Sequence, residues 1–215
     1  DSYYKKENKS NITEIIVAKN ENGKTGTAKL GWTPEYCMFG NIMNFKEEKN
    51  MSVSFLRIDD RMIHGQTVTR WSLEYPCDGL IAVNDKAATT DALKMAYKSA
   101  STKKTFVWTY EAWKKKNQKV LDSKDNYFLI TKDPIQMKKI LVDDGFVPSD
   151  VKKVIVGPCN DRPGAVKLGN NQSITQEEAE ALEAISKAGY EIEFALIKEA
   201  SIGTWDKFRG QFGFN

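Results

Sequence analysis

His64 is the only histidine among 215 residues, and it stands in the stretch RIDDRMIHGQ, residues 57–66. Arg57, Asp59, Asp60 and Arg61 precede it, and Gly65 and Gln66 follow. A neutral imidazole nitrogen is a nucleophile, and histidine is the side chain that most readily exchanges a proton near neutral pH. An ordinary surface loop whose charges pair with one another would carry the same residue types. Position favours chemistry, because VSFL ahead of the motif reads as a strand and the residues from Gly65 onward as a helix. Free amides at a helix start, that of Gly65 included, receive anionic oxygens, and glycine lets the backbone approach closely. Arg57 and Arg61 add positive potential that suits a phosphoryl group better than a carbonyl substrate. Asp59 or Asp60 would fix the tautomer by accepting a bond from the other ring nitrogen, or would pair with the arginines. The residues give a nucleophilic histidine in a loop suited to phosphate.

The elements that must position this loop begin at Met51. VSFLRI, GLIAVN, TFVWT, NYFLI, VKKVIVG and YEIEFALI are short and mostly continuous apolar runs, as in strands buried on both faces. Helical patterns lie between them. Residues 65–75 place Val68, Trp71 and Tyr75 on one face, and residues 88–100 do so for Leu93, Ala96, Tyr97 and Ala100. Residues 111–120 form another candidate. In KDPIQMKKILVDDG, Asp133 is suited to the N-cap, Pro134 to the first helical position and Gly145 to closing the helix. TQEEAEALEAISKAG offers a capping box of Thr175 with Glu178, closed by Gly189. This alternation predicts an α/β domain over residues 51–215, with an open, mainly parallel sheet of about six strands and helices on both faces. Sites in such sheets lie at the C-terminal ends of strands, where His64, Asp85 and Thr131 all fall. Residues 1–50 form an extension without an assigned role, with NENGKTG as a hairpin turn between IIVAK and TAKLGW and FKEEKN as a charged linker.

Composition narrows the function classes. Hydrophobic content of 40% and charged content of 28% fit a soluble globular chain with a real core. A net charge of +3 without a basic block argues against nucleic acid. Cys37, Cys77 and Cys159 lie far apart without a CxxC. One histidine then leaves no zinc spacing, and the odd thiol count argues for reduced cysteines in the cytosol. No apolar run spans a bilayer, and the opening DSYYKKENKS lacks a signal-peptide core. Gly23–Thr25 spells GKT, but Ala18 stands where a P-loop needs glycine, so no nucleotide cofactor is expected. Trp71, Trp108 and Trp113 read as core residues, because no basic stripe accompanies them.

RIDDRMIHGQ resembles the active-site signature of the IIB components of the mannose/fructose/sorbose class of the bacterial phosphotransferase system (PTS). The likeness extends from Met51 nearly to the C-terminus through TRWS, IAVND with Asp85, ITKDP and VGPCNDRPG. The resemblance implies that His64 is phosphorylated by a phosphorylated IIA domain and passes the group to a sugar carried by the membrane IIC/IID permease. The implied activity is protein-N(pi)-phosphohistidine–sugar phosphotransferase, cytoplasmic and peripherally associated with the permease, without metal or cofactor. Carried over by position, Arg57, Asp59, Asp60 and Arg61 join His64 as catalytic residues. Gly65, Gln66, Thr131 and Arg162 contact phosphate, and Asp85 supports the site from behind. Pro158, Cys159 and Asn160 depart from the family's commoner glycine-rich loop around Arg162. Residues 1–50 hold no histidine and are too short for a IIA domain. Two rival readings are a phosphorylatable regulatory module of the same fold that signals sugar status to a partner, and a small-molecule-binding domain without phosphorylation.

Overall fold

The computed structural model describes residues 12–19, 25–33, 38–41, 52–148 and 151–214. It divides into two compact units, Asp1–Lys49 and Asn50–Asn215. In the first unit, β1 (Ile12–Val17), β2 (Gly26–Thr33) and β3 (Met38–Asn41) form an antiparallel sheet in that order. Val17 pairs with Gly26 at the end next to the expected turn, whose residues 20–24 lie outside the described residues, as does FKEEKN.

The second unit is an α/β sheet of seven strands. They are β4 (Val53–Ile58), β5 (Gly79–Val83), β6 (Lys104–Trp108), β7 (Tyr127–Thr131), β8 (Lys153–Val156), β11 (Glu191–Ala195) and β12 (Ser201–Thr204). Their order is β12-β11-β8-β4-β7-β5-β6, with all neighbours parallel except β12 on β11. A two-stranded ribbon, β9 (Val166–Lys167) with β10 (Ser173–Ile174), stands apart. The six expected strands are the six parallel ones. The antiparallel β12 adds a seventh, carried by SIGT, which is too short and too polar to show periodicity. Every residue of β4, β5 and β7 is buried, which is why those runs do not alternate.

Helices cover both faces. On one lie α4 (Tyr110–Leu121), α5 (Pro134–Lys138), α6 (Gln176–Lys187) and α7 (Trp205–Phe208), whose Trp113, Met137, Leu182 and Trp205 pack on Ile58, Leu129, Val156 and Phe194. On the other, Val68 and Trp71 meet Phe55, Phe128 and Ile155. Asp133 and Thr175 cap as expected, with the full Thr175–Glu178 capping box, and Gly145 and Gly189 take positive φ. Past α5 the chain continues as a π-helical turn, Lys139–Asp143.

Two expected helices are broken. Residues 65–75 split into α1 (Gly65–Thr69) and a 3-10 turn at Trp71–Leu73, yet Val68 and Trp71 stay buried and Tyr75 packs against them. Residues 88–100 split into α2 (Asp85–Thr89) and α3 (Asp91–Ser99), because Thr90 is extended at ψ 107°. Of the four residues expected on its inner face, Ala96 and Ala100 are exposed and Leu93 and Tyr97 are partly covered. α3 lies beside β6, the outermost strand, where little surface remains to bury it. Among the described residues, no helix is long and apolar enough to cross a membrane.

Candidate functional site

β4 runs between β7 and β8, so its C-terminal end is flanked by the ends of both neighbours. The chain leaves β4 with the Asp59 amide donating to the Thr131 carbonyl at 3.0 Å. The Gly157 amide donates to the Ile58 carbonyl at 2.8 Å. A tight turn follows, in which the Met62 amide reaches the Asp59 carbonyl at 2.9 Å. Met62 adopts φ 55°, a left-handed conformation that a long side chain rarely takes, and its side chain is fully buried. Burial of Met62 under the motif holds that strained turn in place.

The turn delivers His64 onto Asp59. His64 Nε2 lies 3.0 Å from Asp59 Oδ2 and 2.8 Å from Thr67 Oγ1, so both contacts fall on the same ring nitrogen. Asp59 is fully buried, and four groups share its carboxylate. Arg57 Nε and Nη2 reach Oδ2 at 3.0 and 2.9 Å, His64 reaches the same oxygen, and the Arg61 amide donates to Oδ1 at 2.9 Å. Burial works to raise the Asp59 carboxyl. The His64 bond, the Arg57 charge and the Arg61 amide outweigh it and hold the group below the ordinary carboxylate value.

Arg57 is itself fully buried behind this carboxylate. It donates to the carbonyls of Ala195 and Leu196 at 3.3 Å each and lies 5.4 Å from the Trp71 ring centroid. Trp71 Nε1 donates to the same Leu196 carbonyl at 3.3 Å. Burial lowers the Arg57 pKa, with Asp59 acting against the shift. Gly157 makes room for the pair: a Cβ there would sit 2.3 Å from Arg57 Nη2 and 2.9 Å from Asp59 Oδ2.

The other expected residues are distributed unevenly around this centre. Arg61 is half-exposed at the rim, its Nε 3.7 Å from Asp59 Oδ1. Gly65 opens α1 and is exposed, with open space where a Cβ would stand. Gln66 follows it, but its side chain lies outside the described residues. Asp60 turns to the loop after β8: its amide donates to the Pro158 carbonyl at 2.9 Å, and its carboxylate accepts from the Asn160 amide. Thr131 is fully buried, and its hydroxyl donates to the Asp133 carbonyl at 3.0 Å. Arg162 pairs with Glu178 of the α6 capping box and donates to the Asn160 carbonyl at 2.6 Å. Asp85 accepts from the Tyr110 amide at 2.7 Å, joining the start of α2 to that of α4. The structure therefore gathers Arg57, Asp59, Arg61 and His64, and engages Asp60, Thr131, Arg162 and Asp85 in holding loops together.

Thr67, Gly157 and Trp71 at this centre were not among the expected site residues. Thr67 was within reach of the sequence, since position i+3 from His64 on a helix start faces it. Gly157 and Leu196 come from the ends of β8 and β11, which only the strand order brings near. Cys159 is buried, and burial, with Asp60 next, raises its thiol well above the ordinary value, which keeps it from acting as a thiolate nucleophile. Among the described residues, no cluster of histidine, cysteine and carboxylates could hold a metal.

Residues 53–214 match the family model for the PTS system sorbose subfamily IIB component. The chain is 26% identical over 147 residues to the PTS system mannose-specific EIIAB component of Escherichia coli (strain K12), covering 66% of this chain and 44% of that protein. It thus spans less than half the length of that relative. It is 24% identical over 151 residues to the PTS system sorbose-specific EIIB component of Lacticaseibacillus casei, covering 69% of this chain and 89% of the relative. The IIBSor domain of the sorbose permease from Klebsiella pneumoniae shares the fold at TM-score 0.64 and 22% identity, over 74% of this chain and 96% of that one. ManxB from Thermoanaerobacter tengcongensis superposes at TM-score 0.59 and 26% identity, over 70% of this chain and 91% of that one. With the match running from the first strand of the α/β unit to its last turn, the chain belongs to the sorbose subfamily of PTS IIB components.

Proposed function

We propose that His64 accepts a phosphoryl group on Nδ1 from a phosphorylated IIA domain and donates it to a hydroxyl of a sugar held by a membrane IIC/IID permease. The observation that carries this reading is the bond between His64 Nε2 and the buried Asp59 carboxylate. A charged carboxylate accepts from Nε2–H, which leaves the ring's lone pair on Nδ1. In the first step that lone pair forms a P–N bond while the P–N bond to the donor histidine of IIA breaks. The His64 ring keeps its Nε2 proton and carries a positive charge that Asp59 balances. In the second step the sugar oxygen bonds to phosphorus, the P–N bond returns its electron pair to Nδ1, and the hydroxyl proton is released. The donor P–N bond stores the transfer potential, so catalysis is positioning and charge stabilisation. Arg61 at the rim supports the phosphoryl oxygens, while Arg57 keeps Asp59 charged and aimed. Such a reaction places the protein at the cytoplasmic face of its permease.

The test is reconstitution with labelled phosphoenolpyruvate, the general phosphotransferase proteins and a matching IIA. The chain should take acid-labile, base-stable label at one site, and His64→Ala should take none. Label that survives acid, or that sits on Cys159, would overturn the proposal.

A further inference from the structure

Thr67 is the third residue of α1, fully buried, and its hydroxyl makes one hydrogen bond among the described residues, to His64 Nε2 at 2.8 Å. Thr69, two residues on, sends its hydroxyl to the Gly65 carbonyl at 2.6 Å, as helical threonines commonly do. Thr67 does not. Its proton has no acceptor among the described residues except the imidazole, and an unmet buried hydroxyl is costly.

Nε2 therefore faces two groups with opposite demands. The Asp59 carboxylate can only accept, so it favours Nε2–H and a free lone pair on Nδ1. The Thr67 hydroxyl satisfies its own proton only by donating, which requires a bare Nε2 and moves the ring proton to Nδ1. With Nε2–H in place, Thr67 can share that proton as an acceptor, but its own hydrogen is left unmet. We propose that Thr67 is a positioning residue that competes with Asp59 for Nε2 and so sets the fraction of His64 held in the tautomer with a free Nδ1. The idea rests on the phosphoryl-acceptor reading of His64 for its consequence, though not for its geometry. Under that reading Thr67 restrains the rate of phosphoryl acceptance, because the Nδ1–H form has no lone pair on the attacking atom.

His64 is the sole histidine, so nitrogen-15 spectra correlated through its ring protons report one imidazole without assignment ambiguity. The full chain is measured unphosphorylated, at a pH where its ring nitrogens show the neutral imidazole. The wild type should show both neutral tautomers in exchange. Thr67→Val keeps the shape and removes the hydroxyl, and should raise the ratio of Nε2–H to Nδ1–H about fivefold, the equivalent of one hydrogen bond of ~1 kcal/mol. Thr67→Ser, which keeps the hydroxyl, should return the ratio towards wild type, whereas a role in packing alone would leave both variants alike. Acceptance of phosphate from phospho-IIA should rise in Thr67→Val by no more than the same factor. An unchanged or reversed ratio in Thr67→Val overturns the proposal. A wild-type spectrum holding only the Nε2–H form does the same, even if Thr67→Val fails to fold. The spectra need no phosphoryl donor, so their outcome is separate from whether His64 takes label.

Discussion

Arg57→Lys separates a residue that touches phosphate from one that holds the base of the site. Arg57 bonds Asp59 Oδ2 through Nε and Nη2, bonds the Ala195 and Leu196 carbonyls, and stacks near Trp71, all at full burial. A lysine keeps the charge but has one compact ammonium in place of a planar fork. It can stay with Asp59 only by giving up the two carbonyls, at ~1 kcal/mol each, and part of the ring contact, of whose ~2 kcal/mol when desolvated an ammonium keeps about half. The loss is then about 3 kcal/mol. For a domain of this size each kcal/mol moves Tm by ~2–4 °C, so the melt should fall by ~6–12 °C. Arg61→Lys, half-exposed at the rim, should melt close to wild type but transfer at least ~10-fold more slowly if its fork holds phosphoryl oxygens. Scanning calorimetry on both variants, beside transfer rates from phospho-IIA, makes the comparison. A wild-type melt for Arg57→Lys would refute the claim that this guanidinium braces Asp59 and the end of β11.

Three further outcomes follow from the same geometry. Gly157→Ala drives a methyl into Arg57 and Asp59, so it should cost ~1–3 kcal/mol in chemical denaturation and slow phosphoryl acceptance; neither change would show that the pair has room to move. Asp59 has a depressed folded-state pKa, so its stabilisation is present above the unfolded carboxyl value of about 3.9 and is lost as pH falls through the folded value. Melts of Asp59→Asn and wild type should accordingly differ most near neutrality and converge in acid, and a gap that widens towards low pH would contradict that sign. Burial pushes the Cys77 thiol up to about 11 against the Lys103 charge, and burial with Asp60 raises Cys159 well above its ordinary value. Both should resist alkylation at neutral pH until denaturant is added, as read by mass spectrometry of peptides.

Much of the architecture was legible because apolar runs record burial directly. VSFLRI, GLIAVN and NYFLI read as buried strands, and β4, β5 and β7, which fall on them, are buried at every position. The caps at Asp133 and Thr175 were legible because capping chemistry is local. Thr90 broke an expected helix because two short helices and one long one share a periodicity, and α3 ended beside an edge strand that gave it little to pack against. At the site, the motif placed Arg57, Asp59 and His64 together but not their depth. The full burial of Arg57 depends on Trp71, Gly157 and the carbonyls at the end of β11, which are contacts set by strand order. The resemblance assigned Arg162 to phosphate, but an arginine in a loop carries no mark of its partner in the fold, and here it pairs with Glu178 at the start of α6.

The place of β4 in the sheet has a consequence for synthesis. β4 is the first strand of its unit to leave the ribosome, yet both of its partners, β7 and β8, come much later, with Ile58 aligned to Thr131 and to Val156. At ~5–20 residues per second, VSFLRI waits roughly 5–20 s for its second neighbour to emerge. For most of that interval a largely apolar strand has two unpaired edges, and until β8 emerges it keeps one. Nascent chains of this protein should therefore need shielding by a chaperone over that window, and the histidine loop cannot be assembled until most of the domain exists.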